Sequence, residues 1–511
     1  MVNRVNSGTL IGLNSYRVWV ETDVINSLPA MSVVGLPDAA VNEARDRVKS
    51  AIKNSGYTFP SKKVVVNLAP ADVKKNGTGF DLPIAVGILI EEEVLTADKV
   101  QEYAFIGELA LDGLIRSVNG VLPLVLGLKE QGIKNIIVPK DNAKEAALIE
   151  GINVYGAYCL GDVVGHFTEN PISKTVVNAR DYLVQKSSEE YLFDFRDVKG
   201  QQKAKKALEI AAAGGHNVLM TGSPGAGKTM MAKCFPSILP PLELEEALEL
   251  TKIYSVSGLL SADEPLVVKR PFRSVHHTAS ANGIIGGGSN PKPGEITLAH
   301  RGVLFLDELP EFSRSTLEIL RQPMEDKEVN IARAAASYTY PADFLLCAAM
   351  NPCKCGYYPD ITKCRCTDAD VQKYLGRISG PLLDRIDICV EASRMEYKDI
   401  RGDSANESSA RIRERVSKAV AIQHERYEGT DIRFNSDIGV KDIDKYCHLG
   451  RKEERLMREA FEKIGLSARA YHRMIRVART IADLDGSDEI RTEHLSEAIG
   501  FRNIDRRYWN G

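Results

Sequence analysis

The sequence predicts an α/β protein in three parts: an N-terminal α/β region, a central parallel-sheet region with a phosphate loop, and a helical C-terminal region. Three observations predict it. Strand-like and helical runs alternate through the first two regions, a glycine-rich loop lies between an apolar run and a helix-compatible one, and nearly everything after residue 409 reads as helix. At 511 residues the chain is too long for one core, which predicts two to four domains.

Taken in order, residues 1–170 hold the strand-like runs Lys63–Asn67 and Asn135–Pro139 and the helical runs Asp38–Asn54 and Pro123–Gln131. Residues 171–190 are polar without strong periodicity and predict a linker. Residues 191–397 alternate strands with longer helical segments, as a parallel sheet requires. Residues 398–511 open on a polar stretch, Arg401–Ser409, which predicts a mobile loop before the helices. No repeat of solenoid period interrupts this order.

Composition removes several classes. With 44% hydrophobic and 26% charged residues, wholesale disorder is excluded. No apolar run approaches the roughly 18 residues of a membrane span, and the first 20 residues lack a signal-peptide core, so a cytoplasmic protein with no membrane partner is expected. Sixty-six basic against 69 acidic residues give a net charge of −3, against a uniformly basic nucleic-acid coat. Residues 411–479 alone carry 17 Lys and Arg against 11 Asp and Glu, a local +6, with Tyr427 and Tyr471 among them. Such helices either contact phosphates and stack bases or pair their own acids, and both readings stay open here. Nine cysteines, an odd number in such a chain, argue against a disulfide scaffold. Cys159, Cys234, Cys347, Cys389 and Cys447 lie among apolar neighbours and are expected to be core thiols.

The strongest motif is the apolar run Asn217–Thr221 followed by Gly222, Ser223, Pro224, Gly225, Ala226, Gly227, Lys228 and Thr229. Its glycines let backbone N–H groups wrap phosphate oxygens, Lys228 reaches the terminal phosphates, and the Thr229 hydroxyl ligates Mg²⁺. Val303–Leu306 is a second buried strand, ending in Asp307 and Glu308. At the carboxyl edge of a sheet, Asp307 serves the Mg²⁺ shell and Glu308 polarises the attacking water. A third strand, Phe344–Met350, ends in Asn351, whose amide can hold the lytic water or touch the terminal phosphate. Together the three specify ATP hydrolysis, with Glu308 and Asn351 as catalytic candidates.

Two arginine sites follow. Arg385, in Ser379–Asp387, is suited to act across a subunit boundary on a neighbour's phosphoryl group, or to pair with Asp384 or Asp387 in its own chain. Arg469, Arg473, Arg476 and Arg479 share one broad helical face; a solvated face is the simplest account, with a nucleotide-sensing role only for Arg469.

These motifs, GHNVLMTGSPGAGKT (215–229), FRSVHHTASANGIIGGG (272–288), PKPGEITLAHRGVLFLDELPEF (291–312), AAMNPCKCGYYPD (348–360) and SGPLLDRID (379–387), resemble the ComM/YifB family of magnesium-chelatase-like AAA+ ATPases over essentially the whole chain. The resemblance implies a central AAA+ domain, a C-terminal helical lid, and a homo-hexameric ring that uses ATP and Mg²⁺. It also implies Arg385 as the finger on a neighbour's ATP, Arg469 as second sensor, and insertions around 272–288 and 329–340 facing the pore. In and beside those insertions, Lys292, Arg301, Lys327 and Arg333 are the candidates to track a DNA backbone. ComM-type proteins move branched DNA during natural transformation, so a DNA partner is implied; the alternative is a remodelling ATPase like the magnesium-chelatase subunit.

Residues 65–140 resemble the Lon-protease-like fold, of ribosomal S5 domain 2 type, through Pro70–Leu82 and Ile106–Arg116. A working site there needs a serine activated by a lysine. Those positions fall at Gly79 and Leu122, leaving Thr78 as the nearest hydroxyl, so the resemblance implies a non-proteolytic domain, which favours the DNA motor over the chelatase-like alternative.

Two clusters remain. His276 and His277 lie in the first insertion; structural or solvent roles are expected, because adjacent residues point apart on a helix or strand. Cys353, Cys355, Cys364 and Cys366 form two C-x-C pairs eight residues apart, which suits a structural Zn²⁺ bracing the loop after Asn351. A dithiol/disulfide pair or four unliganded thiols are the alternatives.

Overall fold

The computed structural model describes residues 3–187, 191–288, 291–332, 337–360, 362–393, 406–464 and 467–502. Arg333, and residues 401–405 of the expected mobile loop, lie outside them. The chain divides into two compact units: Met1–Ser188 with Glu243–Val268, and Glu189–Leu242 with Lys269–Gly511. Residues 243–268 thus leave the ATPase-like stretch of sequence to join the first unit.

The first unit is built on strands β1 (Asn3–Ile11), β2 (Asn14–Ile25), β3 (Ala30–Val34), β4 (Lys63–Ala69), β5 (Tyr103–Phe105), β6 (Asn135–Pro139), β7 (Asn153–Ala157) and β8 (Lys174–Thr175). They form one mixed sheet in the order β8-β7-β6-β5-β1-β2-β4-β3. Helix Asp81–Glu91 is buried on every face from Asp81 to Ile90, which explains its apolar text. Helix Ala39–Asn54 instead buries one stripe, Val41, Ala44, Val48, Ala51 and Ile52, and starts where the Asp38 carboxylate accepts the Val41 N–H at 2.9 Å. The inserted helix Leu244–Ser257 packs on helix Val121–Glu130, where buried Glu145 accepts from the Ser255 hydroxyl and, at 2.9 Å, from the Leu122 N–H.

Within the stretch expected to be a linker, Ala179–Ser187 is helical and buries Ala179 and Leu183. Asn178 caps it by accepting from the N–H groups of Arg180 and Asp181. Two apolar residues four apart anchor a helix but make no visible pattern in polar text.

The second unit contains β9 (Val218–Thr221), β10 (Phe272–Val275), β11 (Val303–Leu306), β12 (Glu328–Ala332), β13 (Ser337–Pro341), β14 (Leu345–Met350) and β15 (Ile388–Glu391). Five of them make a sheet in the order β10-β11-β14-β9-β15, every pair parallel. β9 and β11 are buried at every residue, as strands covered on both faces must be. β12 and β13 form a separate antiparallel hairpin.

Helices Ser409–Arg426 and Ala468–Leu484 share this unit's core by packing on the Ala-rich helix Gln202–Gly214. Polar ties fix the contact: Gln423 Nε2 donates to the Ala213 carbonyl at 2.9 Å, and His216 Nε2 lies 2.8 Å from Thr480 Oγ1. Tyr427, for which the sequence left base stacking and a solvated surface both open, is neither: it is a core side chain whose hydroxyl donates to Asn435 Oδ1 at 2.5 Å. Cys234, Cys347, Cys389 and Cys447 are buried as expected, whereas Cys159 is half-buried. No helix of the described residues is long and apolar enough to cross a membrane.

Candidate functional site

Parallel pairing brings the three sequence motifs to one edge. Thr221 of β9 is opposite Met350 of β14, and Ala348 of β14 is opposite Leu306 of β11. The segments that follow, 222–229, 351 and 307–308, therefore leave the sheet side by side at its carboxyl ends, where ligands of parallel α/β sheets bind. Pro224, Gly225, Ala226, Gly227, Lys228, Thr229, Met230, Asp307, Glu308, Met350 and Asn351 line a single cleft of about 360 Å³.

The loop's residue choice follows from its backbone. Gly225 and Gly227 have φ of +78° and +82°, where a side chain is strained, and a Cβ on Gly222 would fall 2.6 Å from the Ala392 carbonyl oxygen. Helix Lys228–Cys234 begins immediately after Gly227. Lys228 Nζ donates to the carbonyls of Gly222 (2.7 Å) and Ser223 (3.1 Å) and to Asn351 Oδ1 (3.1 Å). Burial lowers the pKa of this ammonium, while Asp307 and Glu308 pull it back up.

Thr229 Oγ1 donates to Asp307 Oδ2 at 2.8 Å, so the two groups expected to share Mg²⁺ are in direct contact. The hard oxygen donors and an adjacent phosphate-loop lysine fit Mg²⁺ bound with a nucleotide. Asp307 Oδ1 also accepts the Glu308 N–H at 2.9 Å. Glu308 has φ of +52°, a strained backbone that turns its carboxylate into the cleft.

His277 does not line the cleft, yet it stands against Glu308, a neighbour that sequence reasoning missed. Its Nδ1 lies 3.5 Å from Glu308 Oε2, and its ring centroid is 4.1 Å from that of His276, the two rings tilted by 33°, rather than pointing away from it. The cause is register: Val275 of β10 is opposite Leu306 of β11, so residues two beyond each strand meet. Only knowledge that these strands are neighbours could have revealed it.

Arg385 and Arg469 are not among the residues lining the cleft. Arg385 is buried and bound to Glu325 and, at 2.6 Å, to the Pro381 carbonyl, rather than to Asp384 or Asp387. Arg469 is exposed; the Glu325 carboxyl is held below its ordinary pKa chiefly by its hydrogen bond from Arg385, with a smaller contribution from the charge of Arg469. The rest of its helical face is not a solvated one. Arg473 meets Asp387 at 2.8 Å, Arg476 donates to the Ser436 carbonyl at 3.3 Å, and Arg479 pairs with Asp483. Two DNA candidates are also engaged internally: Arg301 with Asp343 at 2.5 Å, and Lys327 with Asp437 at 2.7 Å and Asp343 at 3.2 Å. Lys292 is exposed.

The four clustered cysteines do come together, with all Sγ atoms within 4.8 Å of one another. In the first unit, Leu122 is buried and Lys75 donates its Nζ to the Pro70 carbonyl.

This parallel sheet with its phosphate loop and paired acidic residues defines a magnesium-chelatase-like AAA+ protein. The profile for magnesium chelatase, subunit ChlI, matches residues 194–400; a second ChlI profile matches 20–142, and the ChlI C-terminal profile matches 406–502. The chain is 44% identical to the YifB protein of Salmonella typhimurium and 43% identical to the competence protein ComM of Haemophilus influenzae, in each case over 98% of this chain and 97% of the relative. A magnesium-chelatase 67 kDa subunit of Chlorobaculum parvum is 28% identical over 31% of this chain and 23% of its own length. The chain belongs to the ComM/YifB family of magnesium-chelatase-like AAA+ ATPases.

Proposed function

We propose that this protein is an ATP-driven motor that assembles as a homo-hexameric ring and moves branched DNA, as the relationship to a competence protein suggests. The observation that carries the ATPase part is the cleft in which Lys228 reaches Asn351 while Thr229 touches Asp307. In this reading Gly222–Thr229 wrap the phosphates and Lys228 exchanges its carbonyl partners for phosphate oxygens. Thr229 and Asp307 hold Mg²⁺, which offsets charge on the phosphoryl group. Glu308 takes the proton of the attacking water, and Asn351 orients that water. Arg385 serves the neighbouring subunit's nucleotide, Arg469 senses it, and the four cysteines hold a structural Zn²⁺.

The proposed domains are a non-proteolytic Lon-like unit (1–170), a linker (171–190), an AAA+ domain (191–397) and a helical lid (398–511). Gly79 and Leu122 in the dyad positions support the absence of peptidase activity, and the protein's proposed location is the cytoplasm. Internal pairing of Arg301, Lys327 and the arginines of the C-terminal helices narrows the DNA surface toward Lys292 and the pore hairpins. A remodelling ATPase like the chelatase subunit is the competing function, and DNA response separates the two. ATP turnover should rise several-fold with single-stranded or four-way-junction DNA, and Glu308→Gln should abolish it in both conditions. Turnover indifferent to DNA, with no junction unwinding, rejects the motor.

A further inference from the structure

We propose that a zinc ion on Cys353, Cys355, Cys364 and Cys366 holds the nucleotide cleft in its binding shape, so that zinc occupancy sets nucleotide affinity. The inference rests on the nucleotide reading of that cleft. Sulfur separations are 3.3 Å for Cys353–Cys355, 3.8 Å for Cys353–Cys364 and 3.6 Å for Cys355–Cys364. Tetrahedral zinc with Zn–S bonds of about 2.3 Å needs sulfur pairs about 3.8 Å apart. All four thiols are unpaired by disulfides, and Cys353 is fully buried. The Tyr358 N–H points to Cys353 Sγ at 3.4 Å, the kind of outer contact that orients a thiolate ligand.

The cluster grips the cleft from two directions. On one side, Cys353 follows Asn351 by two residues with Pro352 between, so a fixed Cys353 fixes the amide that accepts from Lys228. The turn closing the first C-x-C pair packs on the phosphate loop itself: a Cβ on Gly356 would fall 2.5 Å from Pro224 Cδ. On the other side, Cys366 leads into helix Asp368–Leu375, capped by the Thr367 hydroxyl accepting the Asp370 N–H. Just beyond that helix, Arg377 Nη1 donates to the Pro310 carbonyl at 3.0 Å and to Glu311 at 2.9 Å, tying it to the turn that follows Glu308. Among the described residues from Gly356 to Cys366 only Gly356 is buried, so without a metal little anchors the connection between the two C-x-C pairs. With one, Asn351, Pro224 and the Glu308 turn are referred to a single rigid point.

The test uses the full chain purified without added zinc. Metal analysis should find about one zinc per chain, released by a thiol-blocking mercurial and detected with a chromogenic chelator. Binding of a fluorescent ADP analogue with Mg²⁺ should weaken about tenfold or more in zinc-stripped protein and recover on zinc addition alone. Cys366→Ser should lose zinc and match the stripped protein, with far-ultraviolet dichroism confirming that it folds. Gly356→Ala should keep its zinc yet weaken the analogue, because its methyl meets Pro224 and its backbone, at φ +85°, must shift against the phosphate loop. Less than about 0.2 zinc per chain after zinc addition overturns the metal site. Equal analogue affinity in loaded and stripped protein overturns the coupling and leaves the nucleotide reading intact. Failure of the zinc-loaded protein to bind the analogue overturns the nucleotide reading, and the coupling with it.

Discussion

At the residue scale the cleft separates binding from turnover. Lys228 is buried, and its three acceptors are the kind of contacts a phosphate can replace, so Lys228→Ala should remove nucleotide binding, measured by titration of a fluorescent ADP analogue. Glu308 differs: its carboxylate stands against His277 at 3.5 Å, on a strained backbone. An imidazole there fixes where the carboxylate points, and His277→Ala should slow turnover about ten- to hundredfold while leaving nucleotide affinity unchanged. Steady-state kinetics with a parallel binding titration would show it; a matching loss of affinity would make His277 a structural residue of the cleft. The contrast shows what sequence can reveal. Lys228, Thr229, Asp307 and Glu308 announce themselves because strand, loop and acid follow one another along the chain. His277 belongs to the same site through a strand pairing, Val275 with Leu306, that no local pattern encodes.

At the element scale, the helix Ala468–Leu484 shows why charge runs mislead. Its arginines look like a solvent face, yet Arg473 crosses to Asp387, at the start of β15, and Arg479 with Arg426 clamps Asp483. The helix is therefore held to the sheet by ion pairs as well as by its apolar stripe. Burial pushes the Asp387 carboxyl up, but Arg473, His216 and the Asn217 N–H overcome it and hold the pKa well below the carboxylate range. An unfolded aspartate titrates near 3.9, so this pair stabilises the fold fully above about pH 4 and loses that contribution as pH falls toward the folded value. Asp387→Asn leaves the half-buried Arg473 without its counter-charge and should cost about 2 kcal/mol at pH 7. Urea unfolding across pH would check both: the difference between wild type and variant should shrink as acid is added. A constant difference would mean that packing, not charge, joins helix to strand.

At the scale of the whole molecule the open question is whether the cleft is complete within one chain. Its described lining supplies a phosphate loop, a Mg²⁺ pair, a base and a polar amide, but no arginine to meet the developing charge on the phosphoryl group. Arg385 is bound to Glu325 instead; local sequence left its partner open, and only the family resemblance assigned it to a neighbour's nucleotide. The proposed ring would resolve this, because an arginine excluded from its own cleft can act on the next one. The expected behaviour is specific. Arg385→Ala retains an intact cleft and should bind nucleotide without hydrolysing it. Lys228→Ala retains Arg385 but binds no nucleotide. Each variant alone should be inactive, whereas mixed rings place an intact cleft beside an intact arginine and should recover turnover, to a maximum near equal proportions. Phosphate release measured across mixing ratios, with assembly state followed by light scattering, distinguishes the cases. If Arg385 serves only to pair with Glu325, the variants stay inactive at every ratio even when they assemble, and the arginine acting on the nucleotide must be sought elsewhere.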